Sequence, residues 1–178
     1  MNVEIIRICN FELFKFINGM AGKNTILDTF MILSAKYIIY IIPILVALML
    51  IKKRDRVNGI LVGISTVLAY ALVELINSIY YHARPFALGV GTKLIPYPLE
   101  SSFPSGHTTL MFTAAFSLLL LGKKKLAKVM LFLASIVAFS RIYVGVHFPI
   151  DIFAGVALAF FVSVLAIESK NKIMRWSK

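Results

Sequence analysis

The chain has 178 residues, of which 60% are apolar and only 15% are charged, and its formal net charge is +11. A soluble domain is about half apolar and about a quarter charged, so this composition favours a single-domain membrane protein. The basic residues form short clusters between long apolar runs rather than one basic face, which argues against nucleic acid as a partner. The single cysteine, Cys9, excludes an internal disulfide bond and a multi-cysteine metal site.

Residues 1–22 predict an amphipathic helix that lies in the membrane interface. At helical spacing, most polar side chains fall near one face and the apolar side chains fall on the opposite face, with Phe14 nearer the polar side. The polar face holds Glu4, Arg7, Lys15 and Asn18. Gly19 and Gly22 then break the helix. A cleaved signal peptide is less favoured, because the segment lacks a basic start and an uninterrupted apolar stretch.

Five apolar segments follow, and each is long enough, or nearly long enough, to supply the roughly 20 residues that cross a bilayer. They are 27–51, 57–81, 106–122, 126–145 and 150–168. The third is short and needs help from its flanks. The predicted fold is therefore all-α. It is a polytopic membrane helix bundle over 27–168, with five transmembrane spans and the amino-terminal interfacial helix, six helices in one domain of residues 1–178.

Three basic clusters predict the topology of this bundle. They lie between the first two spans, between the third and fourth spans, and after the fifth span, so all three face one side if every segment crosses once. The positive-inside rule makes that side cytoplasmic and makes 169–178 a basic cytoplasmic tail. The loop 82–105 and the turn 146–149 then face outward. Lys36 lies well inside the first span, where it either snorkels outward or faces the bundle.

Three polar stretches are then predicted to meet at the outer membrane surface. The first contains Arg84, the second contains Ser105 and Gly106, and the third contains Arg141. Guanidinium groups are planar donors suited to phosphate oxygens, and the free N–H groups where a helix begins after Pro104 favour an anion. Gly106 also lets a ligand approach the backbone closely. Together these groups predict an anion site, although each alone is also explained as an interface anchor or a helix start.

Two histidines and one aspartate add reactive groups to the same surface. His107 and His147 can act as nucleophile and acid–base catalyst near neutral pH. Asp151 follows His147 by four residues, so one helical turn brings its carboxylate to the ring, where it would hold the tautomer. His82 is interpreted as a bystander at the interface. The same residues could ligate zinc, but two arginines nearby repel a divalent cation, so an anion is favoured.

Three motifs carry a family resemblance. They are Arg84-Pro85, Pro104-Ser105-Gly106-His107 and Ser140-Arg141-x5-His147-x3-Asp151. In order and in internal spacing they resemble the signature motifs of the type 2 phosphatidic acid phosphatase superfamily. Within that superfamily the chain is most similar to the small bacterial undecaprenyl diphosphate phosphatases associated with bacitracin resistance. Compact length, the short amino-terminal helix, Asn77 and the Arg84-Pro85-Phe86 sequence support this similarity.

The resemblance implies a role for each matching position. His147 would attack phosphorus and form a phosphohistidine, and Asp151 would orient and activate His147. His107 would protonate the leaving oxygen and then help water to hydrolyse the intermediate. The groups that would bind the phosphate oxygens are Arg84, Arg141, Ser105 and Gly106. The family needs no metal ion and no other cofactor for this chemistry.

One position departs from the family pattern. The first motif usually has a lysine seven residues before the arginine, and here that position is Asn77. Two helical turns separate Asn77 from Arg84, so Asn77 remains a phosphate-binding candidate that can donate a hydrogen bond but brings no charge. Lys93, in the outer loop, is a candidate substitute for the missing charge. Glu74 is either a functional partner of Lys36 or Asn77, or a buried structural hydrogen-bonding group.

The implied function is hydrolysis of undecaprenyl diphosphate to undecaprenyl phosphate and phosphate at the outer face of the cell membrane. That reaction recycles the lipid carrier of peptidoglycan synthesis. The open alternatives are the same chemistry on phosphatidylglycerol phosphate or phosphatidate and, less favoured, lipid transport or binding without turnover. The expected partners are a polyprenyl or glycerolipid phosphate and the bilayer itself.

Overall fold

The apolar runs fold into helices, which satisfy their backbone hydrogen bonds internally as a bilayer requires. The structure is a computed structural model that describes the backbone of residues 3–176 and the side chains of residues 4–168. This part of the chain contains six long helices, a separate short 3-10 helix at Pro85–Leu88 and no strand. The helices are α1 (Val3–Asn18), α2 (Thr25–Ile51), α3 (Arg56–Ile79), α4 (Gly106–Leu120), α5 (Lys124–Tyr143) and α6 (Pro149–Trp176). The predicted all-α fold is therefore confirmed.

Helix α2 is interrupted near its middle by a short 3-10 segment, Ile38–Tyr40. Pro43 follows it and has no N–H to donate to the carbonyl four residues earlier, so the helix tightens around that gap. At its start, the side-chain oxygen of Asn24 accepts hydrogen bonds from the N–H groups of Ile26 and Leu27, both at 3.0 Å. Counted through the interruption, α2 extends over 27 residues.

Four helices in the described part of the chain are long and apolar enough to cross a membrane. They are α2, α3, α5 and the portion Pro149–Glu168 of α6. Helix α4 has 15 residues. Its length of roughly 22 Å falls short of the roughly 30 Å hydrocarbon core. The count of five spans therefore stays a prediction. The backbone of α6 continues to Trp176, so it includes most of the segment 169–178 that the sequence assigns to a tail.

Helix α4 lies at the centre of the bundle and contacts α3, α5 and α6. Many of its buried side chains are small, namely Thr108, Thr109, Thr113, Ala114, Ala115 and Ser117. Small side chains let helix backbones approach closely in membrane proteins. Gly155 of α6 meets this surface, where a Cβ atom would lie 2.9 Å from Oγ1 of Thr109. The close approach holds the start of α4 against the helix that carries Asp151.

Helix α1 packs against the end of the bundle where α5 ends and α6 begins. Phe14 is fully buried, and its ring centroid lies 5.1 Å from that of Phe148. Asn18 is 2% exposed. Its amide group donates to the carbonyls of Thr92 and Tyr143 at 2.8 and 2.7 Å, and its oxygen accepts the N–H of Thr92 at 2.7 Å. Helical spacing alone places Phe14 and Asn18 toward the polar face, so tertiary packing explains their burial.

We expect Gly145→Ala to destabilise the protein by about 1–3 kcal/mol. Gly145 has φ of +80°, and an added Cβ would lie 2.4 Å from the carbonyl oxygen of Thr92. The matched control is Gly122→Ala, because Gly122 has φ of +75° but has nothing within 4 Å of an added Cβ. Thermal unfolding in detergent measures both variants. Equal losses would contradict a specific role for the close approach to Thr92.

Candidate active site

Backbone hydrogen bonds join the predicted polar stretches at one end of the bundle. The N–H of Ser102 donates to the carbonyl of His82 at 2.9 Å, which closes the loop between α3 and α4. The N–H of Ser105 donates to the carbonyl of Asp151 at 3.0 Å, which joins the start of α4 to the start of α6. Buried backbone groups in loops need such partners. The three stretches therefore lie together, as the sequence predicts.

His147 lies in the turn between α5 and α6 and is 2% exposed. Its Nδ1 atom is 3.4 Å from Oδ2 of Asp151, and its Nε2 atom is 3.4 Å from Nη1 of Arg84. A guanidinium can only donate, so Nε2 is assigned as the unprotonated nitrogen and Nδ1 carries the proton that faces the carboxylate. The Nδ1 contact is not aligned as a hydrogen bond. Such loose geometry is common in catalytic sites without a ligand.

Arg84 is fixed by backbone carbonyls on both sides of the site. Its Nε donates to Glu100 at 3.0 Å, its Nη2 to Ser101 at 2.7 Å, and its Nη1 to Val146 at 3.0 Å. Arg84 is 4% exposed, and burial lowers the pKa of its guanidinium below the ordinary value of an arginine. Among the described side chains, no carboxylate forms an ion pair with it. Its charge is therefore available to an anion.

Arg141 approaches the site from α5 and is 1% exposed. Its Nη1 donates to the carbonyl of Ala35 at 3.0 Å, whereas its Nε and Nη2 atoms have no hydrogen-bond partner. An unsatisfied buried donor costs about 1–3 kcal/mol. The guanidinium carbons of Arg84 and Arg141 lie 4.3 and 4.8 Å from the ring centroid of Tyr97. Two free donors beside a second arginine are suited to phosphate oxygens.

A cavity of about 620 Å³ lies beside these groups. The predicted site residues in its wall are Asn77, Arg84, Gly106, His107 and His147. Ile39 and Tyr40 of α2 and Tyr70 of α3 contribute an apolar and aromatic side to the same wall. Known small-molecule sites have volumes of about 300–1,000 Å³. The wall of the cavity thus combines arginine, histidine and asparagine side chains with apolar and aromatic ones.

Three predicted residues, Ser105, Arg141 and Asp151, are not part of this wall. Ser105 is fully buried, and its hydroxyl oxygen lies 3.0 Å from Oγ1 of Thr108. With its N–H on the carbonyl of Asp151, Ser105 fixes the start of α4 rather than facing the cavity. Its phosphate-binding role stays a prediction.

Asn77, which stands where the family pattern usually has a lysine, and the charged residues considered with it have different surroundings in the structure. Asn77 lines the cavity, and its buried Oδ1 atom has no hydrogen-bond partner. Glu74 lines the same cavity and is exposed, so it is not a buried structural group. Lys36 is also exposed, and no ion pair joins it to Glu74 among residues 4–168. Lys93 donates to the carbonyl of Tyr97 at 3.3 Å.

The site contains two residues that the sequence does not mark as catalytic or binding candidates. Tyr97 contacts both arginines, and nothing local in the sequence marks this loop tyrosine. His82 was interpreted as a bystander, yet its Nδ1 atom lies 3.1 Å from Oδ1 of Asp151. The signal available for His82 is its position two residues before the first motif, Arg84-Pro85.

We expect the free energy of unfolding of the wild-type protein to fall more than that of the His147→Gln variant as the pH falls from about 6.5 to about 4. Burial lowers the pKa of His147 from 6.5 to about 4, so in that window the unfolded chain binds a proton that the folded protein does not. This contribution of His147 to stability is complete above the upper pH and is lost as the pH falls toward the lower one. Denaturant unfolding at several pH values measures how steeply the free energy of unfolding of each protein changes with pH. Identical pH dependence for the two proteins would contradict the lowered pKa of His147 in the folded protein.

The chain is similar in sequence to known proteins of one superfamily. Residues 58–175 match the model of the PAP2 superfamily. The chain is 38% identical over 172 residues to the undecaprenyl-diphosphatase of Sulfolobus acidocaldarius, covering 96% of this chain and 79% of the relative. It is 29% identical over 158 residues to undecaprenyl-diphosphatase BcrC of Bacillus subtilis, covering 88% of this chain and 81% of the relative.

A solved structure has a similar fold. The crystal structure of Aquifex aeolicus LpxE aligns with a TM-score of 0.73 and 27% sequence identity. The alignment covers 90% of this chain and 95% of that one. All three sequence motifs of the candidate site lie inside the range that the family model matches.

Proposed function

Because the chain belongs to the PAP2 superfamily, we propose that it is a multi-pass membrane phosphatase that hydrolyses undecaprenyl diphosphate to undecaprenyl phosphate and inorganic phosphate. Family membership agrees with the resemblance in the three sequence motifs. The substrate is proposed from the names of the relatives from Sulfolobus acidocaldarius and Bacillus subtilis. The residue roles below are proposals of the same kind, supported by the geometry of the site.

The position of Nε2 of His147 is the observation that most strongly supports the proposal. The unprotonated Nε2 of His147 lies 3.4 Å from the guanidinium of Arg84, beside a cavity that His107 also lines. A nucleophilic nitrogen, a second histidine and buried cations are what transfer of a phosphoryl group to histidine requires. A transporter has no need of this combination.

The first step transfers the terminal phosphoryl group to His147. The lone pair of Nε2 attacks phosphorus, and the bond from phosphorus to the bridging oxygen breaks. His107 gives its proton to that oxygen, so undecaprenyl phosphate leaves. Asp151 stabilises the positive charge that develops on the imidazole ring, because its Oδ2 faces Nδ1 at 3.4 Å. Arg84 and Arg141 bind the oxygens of the transferred group.

The second step regenerates the enzyme. Water gives a proton to His107 and attacks the phosphorus of the phosphohistidine, and the nitrogen–phosphorus bond breaks. Inorganic phosphate leaves, Nε2 of His147 recovers its lone pair, and His107 carries a proton again. The same histidine thus serves as acid and then as base, as microscopic reversibility favours for a two-step displacement.

The test is phosphate release by the purified protein in detergent with EDTA, with undecaprenyl diphosphate, phosphatidylglycerol phosphate and phosphatidate as separate substrates. EDTA is included because no group of three metal-binding side chains lies among residues 4–168. We expect release chiefly from undecaprenyl diphosphate, full activity in the remote control Cys9→Ala, and none in His147→Ala. Release chiefly from another lipid would retain the chemistry and reject the substrate. Lipid movement without phosphate release would reject the enzyme.

The proposed site faces outward, with the carboxyl terminus in the cytoplasm. The contact of Lys123 with Asp55 supports this orientation, because it holds two of the basic loops at the end of the bundle opposite His147. In a Cys9→Ser background, an impermeant thiol reagent added to intact cells is expected to label Lys93→Cys but not Lys53→Cys. Labelling of the second variant alone would reverse the topology.

A further inference from the structure

The carboxylate of Asp151 has a second histidine beside it. Oδ2 accepts the N–H of Phe148 at 2.8 Å and faces Nδ1 of His147. The other oxygen, Oδ1, lies 3.1 Å from Nδ1 of His82. Asp151 is fully buried, and Oδ1 has no aligned hydrogen bond. A buried carboxylate oxygen is costly without a donor, and His82 is the side chain positioned to supply one.

The hydrogen-bond pattern of Ser102 supports an assignment of the tautomer of His82. The hydroxyl of Ser102 donates its hydrogen to the carbonyl of His82 at 3.0 Å. The same hydroxyl oxygen lies 2.8 Å from Nδ1 of His82 and can only accept there, because its single hydrogen is already used. We therefore assign a proton to Nδ1 of His82. Its N–H lies between two acceptors, the hydroxyl oxygen of Ser102 at 2.8 Å and Oδ1 of Asp151 at 3.1 Å from Nδ1.

Aromatic neighbours hold the His82 ring in this position. The ring stacks on Tyr80 with an interplanar angle of 9°, and the edges of Phe103 and Phe148 lie around it at centroid distances of 6.2 and 5.9 Å. The other edge borders a separate cavity of about 420 Å³ between α1 and the bundle. The side chain is 29% exposed, so a substitution there does not leave a closed void in the core.

We propose that His82 is a positioning residue, which holds Oδ1 of Asp151 through its Nδ1–H and so keeps Oδ2 directed at His147. The inference rests on the proposed function, because it assigns His82 an effect on formation of the phosphohistidine. Without His82, Oδ1 loses its donor, and on Oδ2 only the N–H of Phe148 still resists rotation of the carboxylate away from Nδ1 of His147. His82 touches no reacting atom, so its effect is on the rate of the first step and not on binding of the lipid.

Two substitutions separate positioning from packing. His82→Phe keeps an aromatic ring among its neighbours but removes the Nδ1–H donor. His82→Asn loses the ring but places an amide N–H near the position of Nδ1. Rapid-quench measurement of phosphohistidine formation is expected to show a rate about 10- to 100-fold lower in His82→Phe, with KM changed little, and a rate near wild type in His82→Asn. Tyr81→Phe, at the exposed neighbouring position, is the control.

A second readout needs no turnover. Nitrogen chemical shifts of isotope-labelled histidine, recorded on the substrate-free protein in detergent, report the proton on Nδ1 of His147. We expect this signal to shift in His82→Phe and to remain in place in His82→Asn. Unchanged signals and rates in both variants, or equal losses in both, would overturn the inference. An inactive wild type on every lipid would instead overturn the proposed function, and the chemical shifts would still decide whether His82 positions Asp151.

Discussion

Asparagine in place of Asp151 is expected to slow phosphate release by about 10³- to 10⁴-fold without unfolding the bundle. The polar neighbours of the carboxylate are the N–H of Phe148 and the Nδ1 atoms of His147 and His82, and all of them are assigned as donors. Asparagine has the same shape but only one acceptor oxygen, so its NH2 group would face a donor. His147 then loses the charge that stabilises its imidazolium when Nε2 bonds to phosphorus.

The matched control is Asp55→Asn, which changes the same side chain at the opposite end of the bundle. Asp55 contacts Lys123 and lies in the loop between α2 and α3. Its replacement is expected to leave the rate of phosphate release unchanged. A rate near wild type for Asp151→Asn, in a protein with unchanged thermal unfolding, would show that the carboxylate does not act on His147.

The second large effect is expected from Arg141→Lys, which should lower kcat/KM by about 100-fold. Lysine retains the positive charge but has no counterpart of the planar fork whose Nε and Nη2 atoms lack partners in the resting protein. Steady-state kinetics in detergent measure the loss. Inorganic phosphate should also raise the unfolding temperature of the wild type, because a ligand that binds only the folded state stabilises it, and this shift should be reduced in the variant.

Arg54→Lys is the control for the second prediction, since Arg54 is exposed in the loop between α2 and α3. It is expected to retain both the activity and the stabilisation by phosphate. An Arg141→Lys protein that also retained both would remove Arg141 from the phosphate site. In that case the unpartnered donors of Arg141 would need another explanation.

Hydropathy predicted the helices well because bilayer-length apolar runs have few alternatives to helix. The predicted segment 57–81 agrees within two residues with α3, and 126–145 agrees within two residues with α5. The central position of α4 was not predictable in the same way, since its small side chains are explained only by the helices packed around it. Likewise, Asn18 of α1 is buried because Thr92 and Tyr143, distant in the chain, surround its amide.

The site was predictable where a local motif fixes the geometry. His147 and Asp151 are four residues apart across the start of a helix, so their contact follows from helical geometry. Contacts made by loops are different, because no spacing rule relates Tyr97 to Arg141 or Ser105 to the carbonyl of Asp151. His82 belongs to the same class, since its approach to Asp151 depends on how the loop between α3 and α4 closes.

Trapping the covalent intermediate tests most directly whether His147 is the nucleophile. The purified protein is mixed with undecaprenyl diphosphate whose terminal phosphate carries a radioactive label, the reaction is quenched within a turnover, and the labelled residue is located. We expect an acid-labile phosphohistidine at His147 that forms before free phosphate and is absent in His147→Asn. Phosphate release without label on the protein, or label on a different residue, would contradict this role of His147.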